Sequence, residues 1–132
     1  MPHGVLVRRA GDSWSIQENV GHLLDLEPLW LRRVDDLAAG RPALADADLT
    51  NSRTREANHN AARLDDLVAE FRKARAGLLG RLEALPEAGS AATALHPRLG
   101  VPMNAVDLAF FVAEHDDYHL ARITELLHQP PG

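Results

Sequence analysis

Apolar residues recur every three or four positions in three long segments of the chain, and this period is the strongest constraint on the fold. The segments predict helices over residues 15–39, 60–85 and 102–127. Ser15 and Glu18 have the spacing of a capping box, which is typical of a helix start. No segment alternates apolar and polar residues over a useful length, as a half-buried strand would. Three long amphipathic helices in 132 residues therefore predict an all-α helical bundle.

Composition indicates a single globular domain, residues 1–132, and excludes several kinds of function. The net charge of −5 argues against nucleic acid as the main partner, because phosphate binding needs a concentrated basic surface. The absence of cysteine excludes disulfides, thiolate nucleophiles and cysteine-based zinc sites. The longest apolar runs fall far short of the roughly 20 residues that a membrane span needs. The N-terminus also lacks the apolar segment of a signal peptide, so we expect a cytoplasmic protein.

Two histidines interrupt the apolar stripe of the third predicted helix, within the stretch E-H-D-D-Y-H. His115 and His119 stand four positions apart, so their side chains share one helix face with Leu108 and Val112. Two buried imidazoles need polar partners, because an unsatisfied buried polar group costs roughly 1–3 kcal/mol. A divalent metal would satisfy both rings, and this spacing is common among zinc ligands. The alternative is a chance pair that lies at the surface or is hydrogen-bonded in the core.

A third histidine in a similar setting would strengthen the metal interpretation. The other five histidines are His3, His22, His59, His96 and His128. The two near the termini, and the one between two asparagines in a polar loop, are expected to face solvent. His96 precedes a proline and is expected in an extended or turn segment. His22 shares a helix face with Leu26 and Leu29, so packing of the first and third helices could bring three imidazoles to one point.

Three histidines without a fourth protein ligand leave coordination positions open for water or substrate. This pattern is typical of a reactive metal site rather than a structural one. Each imidazole should also donate its second N–H to an oxygen acceptor, which fixes the tautomer. Glu18 and Asp25 are candidate acceptors for His22, and Asp116 or a residue from another helix is a candidate for the pair. For each of these acids the alternative is a solvated helix face.

Two motifs resemble those of the DinB-like (damage-inducible protein) superfamily. The stretch W-S-I-Q-E-N-V-G-H-L-L-D-L-E, residues 14–27, is similar to W-S-x-x-E-x-x-x-H-L. Residues 95–123 are similar to a segment in which H-P-x-x-G precedes a helix carrying H-D-x-x-H, and together the matches cover about a third of the chain. The resemblance implies an up-down four-helix bundle. It also implies a divalent metal, often nickel or zinc, held by His22, His115 and His119.

The resemblance implies candidate reactions as well, since some relatives transfer low-molecular-weight thiols such as bacillithiol or mycothiol and others isomerise maleylpyruvate. We expect a metal-dependent enzyme that acts on a small molecule, with thiol transfer and hydrolysis both open. A thiol would come from a cofactor or substrate, because the chain has no cysteine. His96 matches the histidine of H-P-x-x-G, which the family does not generally use as a ligand.

Two other functions remain open at this stage. H-D-D-Y-H resembles the H-E-x-x-H of zinc peptidases, with Asp116 in place of the glutamate that acts as general base. The second alternative is a non-catalytic helical bundle that binds metal or takes part in a stress response.

The chain departs from the family at its start. Only 13 residues precede Trp14, so residues 1–13 are expected to be the remnant of the first helix and its loop, with most of that helix missing. The remaining helices would then expose an apolar groove. Either the true start lies upstream, or a second copy covers the groove in a homodimer.

Two further side chains have open roles. Tyr118, the only tyrosine, either lines the pocket or packs at the bundle surface with its hydroxyl in water. Arg75 interrupts the apolar stripe of the second helix, so it either contacts an anionic substrate or extends to solvent.

Overall fold

The computed structural model describes residues 2–129, and most of them are helical. In chain order the elements are α1 (His3–Val7), α2 (Ile16–Ala38), α3 (Ser52–Ala57), a 3-10 turn (His59–Ala61), α4 (Leu64–Glu83), α5 (Glu87–Ala91), β1 (Ala94–Leu95), β2 (Pro102–Met103) and α6 (Ala105–Leu127). The three long helices α2, α4 and α6 lie in the segments with helical period, which confirms the all-α prediction. Within residues 2–129, every helix is too short or too polar to cross a membrane.

The connections between the long helices contain more regular structure than the sequence indicates. The residues between the first two predicted helices include α3 and lead into the 3-10 turn, so α4 begins at Leu64 rather than at residue 60. Strands β1 and β2 pair antiparallel, with Ala94 opposite Met103. Two residues in each strand are too few for an alternating pattern to be visible in the sequence.

Two of the long helices begin with a capping box. Ser15 Oγ accepts a hydrogen bond from the Glu18 backbone N–H at 3.1 Å, and the Glu18 carboxylate accepts one from the Ser15 N–H at 3.0 Å. Asn104 and Asp107 make the same reciprocal pair at the start of α6. Each cap satisfies free N–H groups of the first turn and contributes about 1 kcal/mol. The caps fix where α2 and α6 begin, and therefore where their histidines lie.

Helix α2 packs against both α4 and α6. The main core forms along these contacts and includes Trp30, Val34, Leu37, Leu78, Leu108 and Val112. Burying each such large side chain stabilises the fold by roughly 1.5–3 kcal/mol. The α2 members of this core come from the C-terminal half of the helix. The N-terminal half, which carries His22, is left to form a polar site against α6.

The N-terminal segment that the sequence assigns to a helix remnant forms α1, a helix of five residues. Its Leu6 is buried with Ile16 and Leu126 in a second, smaller apolar cluster. Helix α6 nevertheless presents large apolar side chains to solvent. The exposed apolar face of α6 consists of Val106, Phe110, Leu120 and Leu127.

Candidate metal centre

The structure brings together the three histidines that the sequence singles out. His22 lies on α2, while His115 and His119 lie one turn apart on α6. Their ring centroids are 4.6 to 5.4 Å apart, and each ring offers one nitrogen to a group whose members all lie within 4.8 Å of one another. His3 and His128 are exposed, as predicted. Three nitrogen donors at this spacing form a candidate site for a divalent metal.

A chain of hydrogen bonds orients His22. Thr54 Oγ1 lies 3.0 Å from His22 Nδ1 and donates its own hydrogen to Asp25 Oδ2 at 2.8 Å. An ionised carboxylate only accepts hydrogen bonds, so the Thr54 hydroxyl must accept one from His22 Nδ1–H. The neutral ring therefore carries its proton on Nδ1, and the lone pair of Nε2 is free to bind a metal.

Asn19 orients His119 in the same way. The Asn19 side-chain N–H group donates to the Ser15 carbonyl at 2.9 Å, which places its Oδ1 at 2.9 Å from His119 Nδ1. Because Oδ1 is an acceptor, Nδ1 carries the proton and Nε2 keeps its lone pair. The first two turns of α2 thus supply one candidate ligand and orient another.

Burial keeps the three rings neutral. Burial first, and the neighbouring imidazoles second, lower the pKa of His22 and of His119 to about 4. Burial also lowers the pKa of His115, whose Nδ1 is buried without a hydrogen-bond partner among residues 2–129. Neutral imidazole is the form that binds a metal. The donor set, its protonation and the unpartnered nitrogen therefore all fit a divalent cation that prefers nitrogen ligands.

The three histidines form part of the wall of an open cavity of about 780 Å³. Trp14, Trp30 and Phe111 supply aromatic surface, and Tyr118, which is 70% exposed, also lines the cavity. The charged side chains of the wall are Arg33, Arg55, Arg98, Arg122, Asp12, Asp46 and Asp48. A cavity of this volume is in the range of small-molecule sites.

The sequence model of the DinB superfamily matches residues 2–123. The chain belongs to the DinB superfamily. Among curated proteins, no sequence is similar enough to match. The fold is also similar to that of YfiT from Bacillus subtilis, with a TM-score of 0.78 and 19% identity over 96% of this chain and 73% of that chain. YfiT is described as a probable metal-dependent hydrolase with an unusual four-helix bundle topology. At this identity the likeness confirms the fold alone.

The three acids proposed as acceptors have different partners in this DinB-superfamily chain. Asp25 acts on His22 through Thr54 rather than directly. The prediction for Glu18 is wrong, because its carboxylate binds the Arg9 guanidinium at 2.5 and 2.8 Å. The hydrogen bond from that guanidinium is the main reason that the pKa of Glu18 falls to about 2. The sequence does not predict this pairing, because Arg9 lies nine positions before Glu18 and outside the helix.

Asp116 is not an acceptor for the histidine pair, because it binds Arg75 at 2.7 Å. The alternative, a residue from another helix, holds for His119, whose partner is Asn19 on α2. Arg75 itself does not extend into solvent, since its side chain is 22% exposed and also binds Glu27 at 2.6 Å. We call Arg75, Glu27 and Asp116 the ion triad. It joins α4 to α2 and α6 directly beside His115.

The structure corrects the placement of His59, which the sequence assigns to solvent. His59 is 7% exposed, and its Nε2 lies 2.8 Å from Asp25 Oδ2. Its ring covers Gly21, where an added Cβ would come within 2.2 Å of the ring. His59 and Thr54 therefore form an outer layer around His22 that the DinB motifs do not include. Gly21 is the sequence signal that points to this layer, because a glycine in the middle of a buried helix face leaves room for another side chain to pack closely.

Proposed function

We propose that this chain is a divalent-metal-dependent enzyme that acts on a small molecule, with the metal held by His22, His115 and His119. The observation that supports this most directly is the set of three neutral imidazoles in the wall of an open cavity. Within residues 2–129 no fourth histidine, aspartate or glutamate joins the group, whereas a structural zinc site uses four protein ligands. Zinc and nickel are the metals to test first, because imidazole nitrogen suits both.

Hydrolysis is the reaction that we infer first. A divalent metal with an open position lowers the pKa of its bound water to near 7. Trp14, Trp30 and Phe111 would hold the apolar part of a substrate against the same wall and exclude bulk water from it. The likeness to YfiT, which is described as a probable metal-dependent hydrolase, supports this choice.

Transfer of a low-molecular-weight thiol is the second candidate. The cavity of about 780 Å³ lies in the upper part of the range of small-molecule sites, which suits a thiol cofactor bound beside an electrophile. The thiol would come from outside the chain, which has no cysteine. A non-catalytic metal-binding protein is the outcome if neither reaction occurs.

Metal analysis combined with two assays tests the proposal. Untagged protein is expected to carry about one divalent metal per chain, because the three imidazoles form one site. His115→Ala should lose the metal, whereas His128→Ala, which removes an exposed histidine after α6, should keep it. Hydrolysis of activated esters and conjugation of several thiols to an aryl halide then separate the two reactions. If the parent protein binds no divalent metal even after metal is added, the proposed three-histidine site is wrong.

We also infer that the chain forms a homodimer in the cytoplasm through the exposed apolar face of α6. Val106 is 75% and Phe110 is 65% exposed, and a second copy would remove such side chains from water. The melting temperature should then rise with protein concentration. Phe110→Asp should abolish this dependence, whereas Leu49→Asp, at an exposed site between α2 and α3, should not. A monomer at every concentration would rule the dimer out.

A further inference from the structure

A buried guanidinium without a carboxylate partner lies in the cavity wall. Arg33 on α2 is 1% exposed, and its Nε donates to the Ala45 carbonyl at 2.9 Å. Within residues 2–129, no carboxylate oxygen lies within 4.0 Å of this guanidinium. Burial lowers the pKa of Arg33, because a charge without a partner is costly to remove from water. A buried cation of this kind indicates that an anionic group of a ligand pairs with it.

His96 presents a second unpartnered donor to the same cavity. The residue is 3% exposed, and its Nδ1 accepts hydrogen bonds from the backbone N–H groups of Arg98 at 3.2 Å and Leu99 at 3.1 Å. The neutral ring therefore carries its hydrogen on Nε2. Nε2 is buried and makes no hydrogen bond to any described residue. A buried N–H without an acceptor costs free energy, so this donor also indicates a ligand.

Both groups line the cavity that contains the candidate metal centre, and the pKa of His96 is lowered by burial first and then by the nearby Arg33. Arg33 Cζ is 5.5 Å from the centroid of the Trp30 ring. The His96 ring is 4.9 Å from that of Phe111, which is in turn 6.0 Å from Trp30. The His115 ring is 5.4 Å from the same Trp30 ring. A small molecule in this cavity can therefore contact both the donors and the three histidines.

We propose that Arg33 and His96 form an oxyanion subsite, which binds a carboxylate or phosphate group of the substrate. The free guanidinium N–H groups and the imidazole N–H are all donors, and an oxyanion offers only acceptors. Burial lowers the pKa of Arg33 although Asp36 and Asp46 are near enough to raise it, and neither carboxylate pairs with the guanidinium. Asp36 accepts from the Ala45 N–H at 2.8 Å and from Arg41 at 2.5 Å, and Asp46 is exposed. The term substrate rests on the proposed function, whereas oxyanion binding itself needs no metal.

Titration of the full chain with inorganic phosphate and with succinate tests the subsite. Calorimetry after chelator treatment separates oxyanion binding from any binding to a metal. Arg33→Gln should raise the dissociation constant of the more tightly bound probe about tenfold or more, because a charge-assisted hydrogen bond is lost. Arg32→Gln is the matched control, since Arg32 is exposed, lies outside the cavity lining and carries the same charge. It should leave the dissociation constant within about twofold, because exposed charges are screened.

His96→Asn provides a second, independent variant. The asparagine oxygen can replace Nδ1 as the acceptor for the turn at Arg98 and Leu99, while the Nε2–H is removed. The dissociation constant should rise about threefold or more with the melting temperature unchanged, because one hydrogen bond to the anion is lost. If Arg33→Gln does not fold, this variant decides the question.

The probes also identify the anion, since stronger binding of phosphate or of succinate shows which group the subsite accepts. No saturable binding of either probe, or equal dissociation constants for the parent, Arg33→Gln and His96→Asn, would overturn the subsite. Metal titration of the same samples is read separately. Oxyanion binding without metal binding would reject the proposed function alone, and metal binding without oxyanion binding would reject the subsite alone.

Discussion

The orientation of His22 depends on a hydroxyl group from another element. Thr54→Val keeps the shape of that side chain but removes the acceptor for His22 Nδ1–H. We expect the dissociation constant of the metal to rise about 10- to 100-fold, as is typical when a ligand loses its outer hydrogen bond. Competition with a chromophoric chelator measures this change. Thr50→Val is the control, because the Thr50 hydroxyl is exposed and bonds to Asp48. Equal affinities for parent and Thr54→Val would contradict the assigned tautomer.

The His59 ring packs so closely against Gly21 that no side chain fits at this position. An alanine in the middle of a helix normally stabilises it by about 0.5–1 kcal/mol relative to glycine. At this position the added Cβ would meet the His59 ring at 2.2 Å, so we expect Gly21→Ala to destabilise the protein by about 1–3 kcal/mol. Urea unfolding measures the change. Gly21→Ala should become neutral or stabilising in a His59→Ala background, and additive effects of the two substitutions would show that they do not touch.

The candidate ligands were predictable as residues because they are polar groups in apolar helical stripes. Their surroundings were not predictable. Glu18 and Asp25 both lie about one helical turn from His22, four positions before it and three after it, and the choice between them depends on Arg9 and Thr54. These partners belong to segments whose position is fixed only by tertiary packing.

At the scale of elements, the long helices could be predicted because each extends over several turns of the apolar period. The short helix α3 and the 3-10 turn after it have no period to detect. Contacts with α2 stabilise them instead, through Thr54 and through a hydrogen bond from Gln17 to the His59 carbonyl at 2.8 Å. Propensity and pattern cannot predict structure that depends on such distant contacts.

The ion triad connects the three long helices, so its contribution to their packing can be measured. Arg75→Met removes the cation and leaves Glu27, which is 3% exposed, as a buried acid without a partner. We expect a loss of about 2–4 kcal/mol in the free energy of unfolding, slightly below the range for fully buried pairs. Glu27→Gln added to Arg75→Met should recover part of this loss, because it removes the unpaired charge. Additive effects in urea unfolding would show that the two side chains do not interact.

At the scale of the whole molecule, the metal-free protein should lose stability in mildly acidic solution. The pKa of His22 and His119 is about 4 in the folded protein and about 6.5 when they are unperturbed. The unfolded chain therefore binds more protons between these values, and stability falls as the pH drops from about 6.5 to about 4. Two such groups give a slope of up to about 3 kcal/mol per pH unit. Urea unfolding across this range measures it, and His119→Gln should reduce the slope. The same slope in the parent protein and in His119→Gln would contradict the claim that burial keeps the His119 ring neutral.

The first and last long helices share the candidate metal centre, and the hydrogen bond between Asn19 and His119 joins residues 100 positions apart. A chain still being synthesised, with α2 folded but α6 not yet made, would carry one of the three ligands. It could not hold the metal however well α2 had formed. Bound metal would thus be acquired last during synthesis and released first when α6 detaches, so it would mark the molecules that are both complete and folded.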